Sequence, residues 1–139
     1  MIKNFFMLLF IISAIGVYGK NMENKINFKF DNKEIIVLLN NNGAAESLLK
    51  QLPLEVKFEN YGSVEKISYL SERLDVSEAP NSCSPKDGDL TYYSPWGNLA
   101  FFHKDFRNSN GLIPLGKIIL GRENLDEIDK SSVVKIEKF

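Results

Sequence analysis

The sequence predicts a mostly-β domain, a closed sheet of about eight strands with one short helix capping an opening. Three observations carry this. Short alternating or continuous apolar runs recur along the chain with turn-forming residues between them. Only one stretch has convincing helical periodicity. The strands do not alternate regularly with helices, as they would in a parallel α/β sheet. Closure into a barrel would also pair the terminal strands and leave no exposed edges.

In chain order, residues 1–19 are set apart first. Lys3 supplies a positive start, Phe5 to Ile12 is an unbroken apolar run, and small Gly19 precedes the polar stretch Lys20 to Lys25. That is the layout of a secretory signal peptide cleaved near Gly19. The apolar run is short of the roughly 20 residues of a membrane span. The alternative is a retained anchor helix. The expected address is the periplasm or the exterior, without stable membrane insertion after cleavage, and the expected domain is residues 24–139.

Ile26 to Phe30 alternates as a half-buried strand does, Asp31-Asn32 is a turn pair, and Glu34 to Leu39 is a strand apolar on both faces. Ala44 to Leu52 places Ala45, Leu48, Leu49 and Leu52 on one helical stripe, with an Asn cap before it and Pro53 to stop it. Leu54 to Glu59 alternates as a strand, Tyr61-Gly62-Ser63 is a turn, and Glu65 to Leu70 is a further strand. Ser71 to Asp87 reads as a loop rich in Pro, Ser and Asn.

Gly88 to Phe106, GDLTYYSPWGNLAFFHKDF, is the richest stretch. Tyr92, Tyr93 and Trp96, then Phe101, Phe102 and Phe106, flank the breakers Ser94 to Asn98, which predicts an aromatic hairpin. Arg107 to Gly111 is a turn, Leu112 to Gly116 an apolar connector broken by Pro114, and Lys117 to Gly121 a short strand. Arg122 to Lys130 offers a weak helical turn, and Ser132 to Phe139 closes with a strand.

Composition excludes several function classes. The formal net charge of −1, with basic residues scattered among acids, is wrong for nucleic-acid binding. One His and one Cys make no zinc site, so no metal and no cofactor is expected. Cys83 is alone, which rules out an intramolecular disulfide, and its loop offers no activating base. Ser94, His103 and Asp105 lack the strand–turn–helix setting of a hydrolase nucleophile, so no catalytic residue is assigned.

Tyr92, Phe101 and Phe102 are expected to fill the barrel interior. Trp96 is different, because a turn between Pro95 and Gly97 seldom needs the largest side chain for packing. With Tyr93, His103 and Arg107 it makes a candidate contact surface for an extended peptide or small planar ligand. Arg107 would supply a charged hydrogen bond.

Leu52-Pro53-Leu54 after a short helix, Gly88 to Leu99, Phe101 to Phe106 and Gly111 to Ile118 together resemble a family of small bacterial cyclophilin-like proteins. The resemblance covers residues 24–139 and implies a cyclophilin-like β-barrel with a helix capping one end. Cyclophilins isomerise prolyl peptide bonds with an Arg, a Gln, apolar rings and a Trp or His in a hydrophobic groove. This chain departs from that pattern, because its one Gln, Gln51, lies in the predicted helix. The sequence therefore points to a non-catalytic module for a peptide or small-molecule ligand, with a divergent prolyl isomerase as the alternative.

Overall fold

The computed structural model describes residues 23–139. The predicted signal peptide lies outside them. The chain begins with a tight hairpin of β1 (Lys25–Phe30) and β2 (Lys33–Leu39). Asp31 and Asn32 both adopt positive φ, the backbone of a two-residue turn whose twist matches the strands it joins. Ile35, Ile36 and Val37 in succession are buried, so β2 is covered on both faces as its unbroken apolar run requires.

Helix α1 (Gly43–Gln51) follows directly. The Asn42 side chain accepts from the Ala45 N–H at 3.0 Å and donates to the Pro114 carbonyl at 2.9 Å. One residue thus caps the helix and fastens it to the sheet. Ala44, Ala45 and Leu48 face inward.

The strand predicted over Leu54 to Glu59 is two strands, β3 (Leu54–Val56) and β4 (Glu59–Tyr61), with a corner at Lys57-Phe58 that drives Phe58 into the interior. Next come β5 (Glu65–Tyr69), the short β6 (Ser82–Cys83), β7 (Asp89–Tyr93), β8 (Asn98–Phe102), the short β9 (Ser109–Asn110), β10 (Leu112–Leu120) and β11 (Val134–Lys138), with a 3-10 segment, Arg122–Lys130, before the last. The apolar connector and the short strand predicted after it are one strand, β10. Pro114 cannot donate to the ladder, and the register shifts between Pro114 and Gly116 accommodate it.

Nine strands form one curled sheet in the order β3-β11-β1-β2-β10-β7-β8-β5-β4, and β6 pairs with β9 separately. The expected closure is corrected here: the barrel is open. Its edges, β3 and β4, meet only through the Lys57-Phe58 corner and share no ladder. Phe58 plugs this seam, its ring 6.1 Å from Phe28 and 5.8 Å from Phe101. The interior gathers Phe28, Tyr92, Leu99, Phe101 and Ile113, with Leu125 and Ile128 of the 3-10 segment.

A second, smaller apolar cluster lies on the outer face of β5, β8 and β10. It comprises Ile67, Ala100, Phe102 and Leu112, with Val64, Cys83, Tyr93 and Phe106 packed against it. This outer cluster lies beneath an aromatic cleft.

Candidate functional site, an aromatic cleft on the outer face of the sheet

Strand parity decides which rings go in and which go out. Successive residues of a strand point to opposite faces, and directly paired residues share one. On β7 and β8, Leu90, Tyr92, Leu99 and Phe101 face the interior, and Tyr93, Asn98, Ala100 and Phe102 face outward. Pairing then aligns Tyr61 with Glu65 and Glu65 with Phe102 in one row across β4, β5 and β8. A second row runs Tyr69, Asn98, Tyr93, Leu112 across β5, β8, β7 and β10.

These rows, apart from Tyr69 at the end of the second, form the floor of a cleft of about 310 Å³. Its walls come from two loops. Trp96, in the β7–β8 turn, stands edge-to-face with Tyr93 at 5.4 Å and with Tyr61 at 5.4 Å. Phe106 lies 5.5 Å from Phe102, and the Arg107 guanidinium sits 4.5 Å above the Phe106 ring. Trp96 is 47% exposed and Tyr61 45%, whereas Phe102 beneath is fully buried.

The Trp96 turn is held by its own backbone and by an arginine from outside it. The N–H groups of Trp96 and Gly97 donate to the Tyr93 carbonyl at 3.2 and 2.9 Å. Arg73 donates to the Ser94 carbonyl at 2.7 Å. Gly97 has φ +74°, a left-handed conformation that side chains other than glycine resist. The facing loops are pinned likewise: the Ser94 N–H donates to the Gly111 carbonyl, Gly111 to Asn81 and Phe106 to Pro85.

Two of the polar groups in the cleft are acceptors. Glu65 is half-buried, and its desolvation raises the carboxyl above its usual pKa. Asn98 is 2% exposed. Its Nδ2 donates to the Leu99 carbonyl at 3.1 Å, and its Oδ1 is buried without a partner among the described residues.

Of the four contact residues predicted from sequence, Tyr93, Trp96 and Arg107 line the cleft together. His103 lies outside the lining. It follows outward-facing Phe102, and its N–H donates to the Val64 carbonyl at 2.9 Å. Burial first, and then the positive charge of Lys66, lower its pKa. Phe102, expected in the interior, lies instead on the outer face. The reason is parity, because consecutive Phe101 and Phe102 cannot both point inward. Tyr61, Glu65, Asn98 and Phe106 line the cleft without having been singled out. A second apolar ring at the wrong parity was the one signal in the sequence that the outer face is also covered.

Hydrolytic chemistry finds no support in this arrangement. Asp105 accepts from the Asp87 N–H at 2.9 Å rather than orienting His103. Burial, and then nearby Asp89, push the Cys83 thiol up to about 11, well above a reactive thiol. Among the described residues no group of three or more His, Cys, Asp or Glu converges to hold a metal ion, and no helix is long and apolar enough to cross a membrane.

The comparisons bear on fold and family. The solution structure of a hypothetical protein from Archaeoglobus fulgidus superposes with a TM-score of 0.60 at 17% identity, covering 84% of this chain and 95% of that one. At that identity the likeness is one of fold. No curated protein matches the chain. The sequence profile of the Cyclophilin-like family matches residues 28–137, which run from β1 into β11 and contain every residue of the cleft, and the chain therefore belongs to that family.

Proposed function

We propose that this domain is a non-catalytic binding module that grips a peptide or small planar ligand in the aromatic cleft. The observation that carries the reading is Trp96, half-exposed and wedged between Tyr61 and Tyr93 above the buried Phe102. A large ring held in place but left half in water gains by stacking on a ligand, and it loses little mobility when it does so. The cleft has the size and the mix of apolar lining with few polar groups that small-ligand sites have. The apolar leader of residues 1–19 supports export, so the ligand would be met outside the cytoplasm.

The test uses the chain's single Trp as reporter. A composition-diverse panel of peptides and small planar molecules titrated against the folded domain should produce a saturable change in Trp96 emission. A panel-wide failure to move that signal would refute the reading.

The second reading is prolyl isomerisation in the same cleft. Arg107 favours it, as the cation of the lining, because rotation about a prolyl bond needs desolvation and a donor rather than an acid–base pair. A protease-coupled prolyl-peptide assay separates the two. Background rates are expected, and catalysis abolished by Arg107→Ala would replace the module by an enzyme.

A further inference from the structure

The binding reading leaves open which ligand the cleft prefers, and the polar groups on its floor narrow the choice. The charge preference they indicate rests on that reading and deepens it.

Glu65 stands in the row Tyr61–Glu65–Phe102, its carboxylate flanked on the same face by an aromatic ring on each neighbouring strand. Directly paired side chains of this kind lie with Cβ atoms about 4.5–5.5 Å apart. The carboxylate is half-buried, and among the described residues no ion pair or hydrogen bond offsets its desolvation. Such a group is held at a free-energy cost that a cation relieves most effectively. Aromatic faces add to the attraction for a cation, the more so once water is excluded. The cleft already shows this chemistry once, in the Arg107 guanidinium stacked on Phe106. Arg107 is exposed at the rim, where solvent and salt screen its repulsion of an incoming charge.

The second acceptor sets a length. Asn98 lies four residues along β8 from Phe102, the partner of Glu65. At the strand rise that is about 13 Å. Its Oδ1, buried and without a partner among the described residues, has a lone pair free for one N–H. An extended peptide advances by about the same distance in four residues.

We propose that the cleft selects an extended peptide carrying a basic side chain, with the cation at Glu65 beside the exposed Tyr61 ring and a main-chain N–H about four residues away on Asn98 Oδ1. A neutral peptide would desolvate Glu65 further and give it nothing in return. A free cation would satisfy Glu65 and leave Asn98 unpartnered.

The experiment titrates the folded domain, followed by Trp96 emission, with end-blocked pentapeptides of one alanine–proline frame. A single position carries Arg, Lys, norleucine or Glu, and free arginine amide is the fifth probe. The Arg and Lys peptides should bind at least tenfold more tightly than the norleucine peptide, the Glu peptide more weakly still, and free arginine amide far more weakly than the Arg peptide. Glu65→Gln should bring the Arg and norleucine peptides within about twofold of each other, weakening the Arg peptide and tightening the norleucine peptide, which then desolvates no carboxylate. Circular dichroism checks that this variant is folded. Equal binding of Arg and norleucine peptides, a preference that survives Glu65→Gln, free arginine amide binding as well as the peptide, or no binding by any probe would each overturn the proposal. The broader binding reading falls only if the composition-diverse panel also fails.

Discussion

Replacing Trp96 by Ala tests how a ring can be both anchored and available. Trp96 is 47% exposed, so about half of its surface is removed from water on folding. A buried aromatic side chain covers roughly 200 Å², so about 100 Å² is at stake here. At about 25 cal/mol per Å² that is some 2.5 kcal/mol. Alanine keeps the Cβ, and an open cleft leaves no enclosed cavity, which trims the figure. Loss of the two edge-to-face contacts restores part of it, at about 0.5–1.5 kcal/mol each. The expected loss is therefore about 2 kcal/mol, between the ~0.5 kcal/mol of a free surface residue and the roughly 3–5 kcal/mol of a core ring. Urea unfolding followed by far-ultraviolet circular dichroism measures it without needing the Trp. Phe101→Ala is the control, fully buried against Phe28 at 4.9 Å, and should cost about 3–5 kcal/mol. In the wild type, acrylamide should quench the indole readily. A loss for Trp96→Ala equal to that of Phe101→Ala, with a wild-type indole protected from quencher, would show Trp96 to be core and remove the contact role.

Three further predictions concern groups outside the cleft lining. Lys66 donates to Asp129 at 2.8 Å and to Asn60 at 2.6 Å, both partners of the ion pair being largely buried, so Asp129→Ala should destabilise by about 3 kcal/mol and Lys66→Met in the same chain should recover much of it, as urea unfolding would read. Burial alone would raise the Asp129 pKa, but the Lys66 hydrogen bond and charge outweigh it and hold the carboxyl below its usual range. A depressed carboxylate pKa stabilises the fold above the ordinary value near 3.9 and loses that contribution as pH falls through the folded-state value, so wild type should lose stability below pH 4 more steeply than Asp129→Ala does. Cys83, with its thiol pushed up to about 11, should resist disulfide-exchange reagents at neutral pH, only about one thiol in ten thousand being ionised there, and rapid labelling at pH 7 in the folded protein would contradict its packing.

Local pattern made most of the strands legible, and the cleft depended on what local pattern does not carry. The Asp31-Asn32 hairpin, α1 with its Asn42 cap, and the aromatic hairpin of β7 and β8 follow from turn chemistry and periodicity. Trp96 stood out because its size conflicts with its place in a turn, and Tyr93 and Arg107 lie close to it in sequence. Tyr61 and Glu65 reach the same cleft through sheet order: β4 and β5 join β8 from the far side, a pairing set by long-range contacts that no window of sequence contains. Pro114 misled for the opposite reason. Taken alone it breaks a strand, yet the neighbouring shift in register absorbs it and β10 runs on through nine residues. The division of Leu54 to Glu59 into two edge strands is likewise a tertiary outcome, since alternation reads as one strand until Phe58 has an interior to enter.

The same parity that hid the cleft also fixes its floor. The sheet has interior residues on one face, so Phe101 and Tyr92 lock the backbone from beneath, and the outward residues Phe102, Asn98 and Glu65 inherit positions fixed by that packing. Only Trp96, Phe106 and Arg107 come from loops. Those loops are tied to each other through the Ser94–Gly111 hydrogen bond, to the Asn81–Pro85 segment through Gly111 and Phe106, and to Arg73 at the turn itself. Gly111, at φ +88°, lies against Pro95, where an added Cβ would come within 3.0 Å. Floor and walls are therefore held by the protein's own contacts, which under the proposed binding role would lower the ordering cost of a ligand and let a single group such as Glu65 decide preference. An open barrel is no obstacle to this arrangement, because its seam at β3 and β4 is plugged by Phe58 from the interior while Tyr61, at the far end of β4, already faces the cleft.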